Sequence, residues 1–271
     1  MNRRRQAFDY TLLAVALILV AWGLVMVYSA SAIWAEQKLG QSLYFFKRQL
    51  IWAAVSLSAM AFLSRFNYNR FREWIGPIFL VTVVFLLAAL LSPEIAGVRR
   101  WVRLGPVGLQ PAEFAKLTAS LFLAYYLDRR RSKLDSPVWG LLAPFGVLGV
   151  LLVLIALAPD LGTPVLIFAS SVLVYFVGGG RVGYMAGALA AALPLAIYEL
   201  LKYPYRRARL MSFMEPFENA KGAGYQLAQA ILAVGSGGWF GKGFGASQLK
   251  LGYLPPPHTD VLVPVVGAEL G

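Results

Sequence analysis

The sequence predicts an all-α polytopic membrane protein of about seven transmembrane helices with a large extracytoplasmic loop. Three observations carry this expectation. The chain is 59% hydrophobic and 14% charged, with a mean hydropathy of +0.64, a balance foreign to ordinary soluble domains. Apolar stretches recur along it with charged punctuation between them. The 25 lysines and arginines against 13 acids give a net charge of +12. In a membrane protein that excess reads first as anchoring to anionic headgroups and second as affinity for an anionic substrate, not as nucleic-acid binding. The absence of cysteine excludes disulfides and thiolate metal sites.

The first stretch, Tyr10–Ser29, is uncharged and too long for a signal-peptide core, so it reads as a retained span. Leu50–Ser64 is short and must borrow flanking residues. Trp74–Ser92 follows, then Glu113–Leu127, which carries Lys116 and so needs that lysine to snorkel or to line a polar cavity. Ser136–Ala158, Leu161–Gly178 and Val182–Tyr198 complete seven candidates. Residues 1–198 are thus assigned to transmembrane helices 1–7. Residues 199–260, rich in Gly, Pro, Tyr, Gln and charge, are too long for a plain connector and form the large loop. Within it Gly224–Val234 is apolar enough to lie at or dip into the membrane surface. Residues 261–271 read as the start of a truncated eighth helix, so the chain is expected to belong to a longer protein.

Cations orient the chain. Arg3, Arg4, Arg5, Arg65, Arg70, Arg72, Arg129, Arg130, Arg131, Lys133 and Arg181 fall on one side, eleven in all, against seven on the other outside the long loop. Long loops count little, so the N-terminus is expected to be cytoplasmic.

Three polar stretches then share the outer side. In Gly97–Leu117, three arginines flank Trp101, and Gln110-Pro111 leads into a helix on which Glu113 and Lys116 share a face. The bland reading is an ion pair beside an aromatic anchor. The functional one is a phosphate-binding rim. In Ala158–Thr163, Asp160 lies at a helix junction, where it either caps the next helix or works as a functional carboxylate. The third stretch, the long loop, carries closely spaced glycines from Gly235 to Gly245, but its spacing is not that of a P-loop. It ends in Leu251–Asp260, L-G-Y-L-P-P-P-H-T-D, which holds the protein's only histidine.

The succession G-x-x-R-W, Q-P-x-E-F-A-K-L, P-D-L-G-T, G-x-G-Y-Q, G-G-x-x-G-K-G and L-P-x-x-H-T-D, in this order, resembles the SEDS family (shape, elongation, division and sporulation). G-Y-Q and G-A-S-Q-L-K-L-G-Y-L-P look more like its division branch than its elongation branch. The resemblance implies ten transmembrane helices and a peptidoglycan glycosyltransferase. Its members polymerise lipid II outside the cytoplasmic membrane for septal wall synthesis, with a class B penicillin-binding protein and other divisome proteins as partners. It aligns the family's essential loop aspartate with Asp260 and its substrate-side residues with Arg100, Lys116 and Asp160. The chain departs from the family at Pro256, at Val261 and at Ala268, while Glu269 is kept.

Under that resemblance Asp260 is the expected general base, drawing the proton from the attacking sugar hydroxyl. The leaving pyrophosphate needs positive charge, from Arg100, Lys116, Arg206, Lys250 or a divalent cation such as Mg or Mn. A base plus a cationic leaving-group site suits inversion. Three consecutive prolines restrict the backbone before Asp260, and His258 is a candidate for orienting it or the substrate. Asp260 also reads as a cap for the following helix. Glu113 and Glu269 are expected to support the site. A lipid II flippase and a non-catalytic scaffold that activates a partner synthase are the rival readings.

Overall fold

The structure is a computed structural model and describes residues 9–94, 98–105, 107–158, 160–218, 222, 224–243, 245–246 and 262–271. Among the described residues the regular structure is helical apart from one small hairpin, and the chain falls into two compact units. Among the described residues, four helical stretches are long and apolar enough to cross a membrane: Tyr10–Leu39, Phe71–Leu91, Val138–Leu157 and Val182–Lys202. Large apolar side chains such as Ile18, Phe62, Leu80, Val153, Leu173 and Leu195 are exposed along the helices, as expected where the surrounding solvent is lipid.

One unit comprises the chain up to Phe66 and Arg207–Gly271. Helix α1 (Tyr10–Leu39) starts where Asp9 Oδ1 accepts the Leu12 backbone N–H at 3.0 Å. It ends at Gly40, whose left-handed conformation (φ 67°) lets its N–H reach the Glu36 carbonyl. It therefore outruns its apolar stretch by ten residues, from Ser29 to Leu39. Helix α2 (Tyr44–Ser64) borrows six residues before Leu50. Tyr28 and Phe46 meet edge-on with centroids 5.9 Å apart, which seats α2 on α1. The stretch 199–260 holds helices α8 (Pro204–Met214) and α9 (Tyr225–Gly237). Ala233 of α9 packs with Val265 and Ala268 of α10 (Leu262–Leu270) and with Met26 and Ala30 of α1. The apolar segment around α9 is thus a packed helix.

The other unit, Asn67–Arg206, is a helical bundle. It contains α3 (Phe71–Leu91), α4 (Pro111–Arg129), α5 (Ala143–Leu157), α6 (Gly162–Val177) and α7 (Val182–Lys202). Its core is a helical-period stripe on α4 (Ala112, Ala115, Ala119, Leu123, Leu127). The stripe packs with Leu86, Leu148, Leu151, Ile155, Ile167 and Tyr175. Inside, the hydroxyls of Thr82 and Thr118 lie 2.8 Å apart, so these two buried groups partner one another.

A π-helical turn, Val138–Leu142, precedes α5. Three tyrosine hydroxyls donate to the carbonyls around it: Tyr126 to Trp139 at 2.8 Å, Tyr175 to Gly140 at 2.6 Å and Tyr184 to Asp135 at 2.6 Å. They come from α4, α6 and α7, so one turn ties three helices together. Gly140 is required there, because a Cβ would collide with the Leu134 carbonyl oxygen and come within 2.9 Å of the Tyr184 ring. Gly140→Ala is expected to lower stability by about 1–3 kcal/mol through overpacking. Gly146→Ala on α5, where nothing lies within 4 Å, should be neutral or slightly stabilising. Thermal unfolding of the two variants in detergent checks the contrast.

Candidate active site

Two of the three polar stretches, Gly97–Leu117 and Ala158–Thr163, meet in the bundle. The hairpin β1 (Val102–Leu104) and β2 (Val107–Leu109) pairs Arg103 with Gly108, and Gly105 supplies a positive φ of 64° at its turn. Trp101 lies 3.4 Å from the position of a Cβ on Gly108, so the indole covers the bare strand. The hairpin delivers the chain to Gln110 and to Pro111, which sits at the start of α4 where no backbone donor is needed.

Arg100 precedes the hairpin. Its Nε donates to the Ala158 carbonyl at 2.9 Å, tying this stretch to the end of α5. Asp160 is buried, at 8% exposure. Its Oδ1 accepts the Thr163 backbone N–H at 3.2 Å and its Oδ2 the Thr163 hydroxyl at 2.8 Å. It therefore caps α6. Arg100 and Asp160 line one small cavity of about 10 Å3 with Gln110, Pro111, Ala112 and Ala158, room for about one water-sized sphere. Lys116 and Glu113 do not line it. They form an ion pair at 2.7 Å on the exposed face of α4. The lysine and glutamate read as sharing a face thus meet one another.

A second polar group closes α7. Arg206, only 11% exposed, donates through Nη1 to the Glu199 carbonyl at 2.7 Å and to its carboxylate at 2.8 Å. Its guanidinium lies 4.5 Å from the Tyr203 ring centroid. Lys202 adds a longer contact to Glu199 at 3.5 Å. These groups border an apolar groove of about 510 Å3 between α5, α6 and α7, lined by residues such as Leu157, Leu161, Phe168 and Leu193, with Glu199, Lys202 and Tyr203 among its walls.

Glu269 of α10 is buried, at 1% exposure, and its Oε2 accepts the Ser29 hydroxyl of α1 at 2.9 Å. Lys250, His258 and Asp260 lie outside the described residues. Among the described residues no three acidic or histidine side chains converge on a metal position. Sequence reasoning missed Glu199, Ser29 and the hairpin. Glu199 carried a signal, as the only acid within reach of Lys202 and Arg206 along the chain; Ser29, 240 positions from its partner, carried none.

The family profile described as "Cell cycle protein", which groups FtsW, RodA and SpoVE, matches residues 9–271. The chain belongs to the FtsW/RodA/SpoVE family. It is 35% identical over 273 residues to a protein of Geobacter sp. (strain M18) named "Probable peptidoglycan glycosyltransferase FtsW", covering 99% of this chain and 74% of that one. Stage V sporulation protein E of Bacillus subtilis (strain 168) is also 35% identical, over 275 residues, covering 100% and 75%. Among solved structures, a chain of a peptidoglycan synthase complex that coordinates polymerization and crosslinking superimposes with a TM-score of 0.72 at 25% identity, covering 98% of this chain and 72% of that one. The chain has the helical membrane fold of the FtsW/RodA/SpoVE family and spans 72–75% of the length of these relatives.

Proposed function

We propose that this protein is a peptidoglycan glycosyltransferase that polymerises lipid II on the outer face of the cytoplasmic membrane, at the division septum. The observation that carries the reading is the similarity over 99% of the chain to a protein named as such a transferase. Two geometric features support it. Arg100 and Asp160, both picked out by the resemblance, border one cavity. A groove of lipid-like character ends at Glu199, Lys202 and Tyr203, a combination that suits a donor made of a polyprenyl chain and a pyrophosphate.

In this reading Asp260 takes the acceptor hydroxyl's proton, and Arg100, Lys116, Lys250 and the Arg206 cluster offset charge on the departing pyrophosphate. His258 orients Asp260 or the substrate. A divalent cation such as Mg or Mn would supply further charge for the same leaving group. The reaction inverts the donor's anomeric centre. The N-terminus is cytoplasmic. The partner synthase is a class B penicillin-binding protein working among other divisome proteins, in keeping with the synthase complex that this fold matches.

The test is lipid II polymerisation by the protein reconstituted with its partner, the partner's transpeptidase serine blocked by a β-lactam. Glycan strands are the expected product. Lipid II crossing the bilayer without strands would replace the reading by a flippase. Neither activity, together with faster synthesis by an unblocked partner, would replace it by a scaffold.

A further inference from the structure

The stretch from the end of α4 towards α5 has served above only to orient the chain. It carries Arg129, Arg130, Arg131 and Lys133, four cations within five residues. The neighbouring acids do not neutralise them. Asp128 is held by Arg72 at 2.6 Å and Asp135 by Arg181 at 2.8 Å. Among the described residues, none of the four cations has an acidic partner.

Two of the four are organised by one ring. The Arg130 guanidinium stands 4.5 Å from the Trp139 ring centroid and the Lys133 ammonium 5.7 Å from it, distances at which the ring face attracts cations. The ring's own backbone is fixed by the Tyr126 hydroxyl on the Trp139 carbonyl. Trp139 lies on Val138–Leu157, long and apolar enough to span a membrane, and aromatic residues of that kind favour the headgroup level. One turn along from Val138 stands Leu142, and both are exposed, at 51% and 62%. Clustered cations, a partly exposed indole and bare aliphatic side chains therefore succeed one another in the order in which a phospholipid presents phosphate, glycerol and acyl chain.

We propose that Arg130, Lys133 and Trp139 form a binding site for the phosphate of an anionic phospholipid whose acyl chain lies along Val138 and Leu142. Basic residues at the end of a membrane helix attract anionic headgroups generally, at about 1 kcal/mol per cation, or about five-fold in affinity. The stacked pair adds a fixed position to that diffuse field. Arg131 is the internal comparison, being the next cation in the chain and having no ring beneath it among the described residues.

The experiment extracts the protein from nanodiscs of phosphatidylglycerol and phosphatidylcholine in equal parts and counts retained lipids by native mass spectrometry. Phosphatidylglycerol is expected to be retained preferentially. Arg130→Gln should weaken retention by about five-fold or more, and the pair with Lys133→Gln by about 25-fold, if the cations contribute independently. Arg131→Gln should cost clearly less than Arg130→Gln, with thermal unfolding unchanged in all three. Equal retention of both lipids, or equal losses for Arg130→Gln and Arg131→Gln, would overturn the site. Inorganic phosphate displacing the lipid at matched concentration would overturn it too, in favour of a soluble phosphate ligand.

Discussion

Asp260→Ala is expected to abolish glycan-strand formation while lipid II binding and association with the partner synthase persist. A general base contributes about 10²–10⁴-fold, so residual product should fall at least that far, and Asp260→Asn should behave alike, since an amide cannot take the proton. The loss should appear in kcat more than in KM, because the proton moves only in the transition state. The expectation rests on the proposed transferase activity and on the alignment of Asp260 with the family's essential aspartate. Asp260 itself lies outside the described residues. The measurement is strand length and yield on gels from labelled lipid II, wild type against variant, with the partner's transpeptidase blocked. Equal product from both would reduce Asp260 to a helix cap and move the base elsewhere.

Most of the helical architecture was legible in the sequence, because apolar stretches bounded by charge are a strong and local signal. Helix ends were less legible. The apolar pattern of the first stretch stops at Ser29, yet α1 runs to Leu39, where Gly40 provides the left-handed stop. Ser29 and Ser31 interrupt the apolar pattern and Glu36, Gln37 and Lys38 close it, yet the residues between and after them remain helical. Leu50–Ser64 looked short for the same reason, since Tyr44, Lys47 and Arg48 are helical without being uniformly apolar. The hairpin at Val102–Leu109 escaped notice because three-residue strands around a Gly-Pro turn leave too little alternation to read.

The site was legible in kind more than in geometry. Asp160 had been read both as a cap and as a functional carboxylate, and its two bonds to Thr163 supply the cap while leaving it on the wall of the cavity with Arg100. Glu113 and Lys116 read either as an ion pair or as part of a phosphate-binding rim, and they meet at 2.7 Å, one turn apart. Arg206 looked like a loop cation, whereas it sits at the start of α8 and is mostly buried against Glu199 and Tyr203. Sequence separation explains the rest: a local pair such as Glu113 and Lys116 follows from helical spacing, but no periodicity connects Ser29 to Glu269.

That last pair makes the second large prediction. Glu269→Ala is expected to destabilise the protein by about 2–4 kcal/mol, read as a fall in thermal unfolding temperature and in folded yield from membranes. The side chain is fully buried, so truncation leaves a void between α10 and α1. It also removes the acceptor that the part-buried Ser29 hydroxyl bonds at 2.9 Å. Glu269→Gln should cost less, about 1 kcal/mol, because its amide oxygen still accepts from Ser29 in the same space. Ser29→Ala opens little space and should fall between the two, by taking one donor from a buried carboxyl group. If the hydrogen bond is the coupling, the combined Ser29→Ala and Glu269→Ala variant will be less destabilised than the sum of the single changes, by about 0.5–3 kcal/mol. Additive losses would mean that Glu269 stabilises α10 by packing alone. Wild-type stability for Glu269→Ala would mean that α10 is held by Val265, Ala268 and the close approach of Gly267 to Val234. Because α10 follows Asp260 directly, strand synthesis should decline along the same series, with Glu269→Gln the least affected.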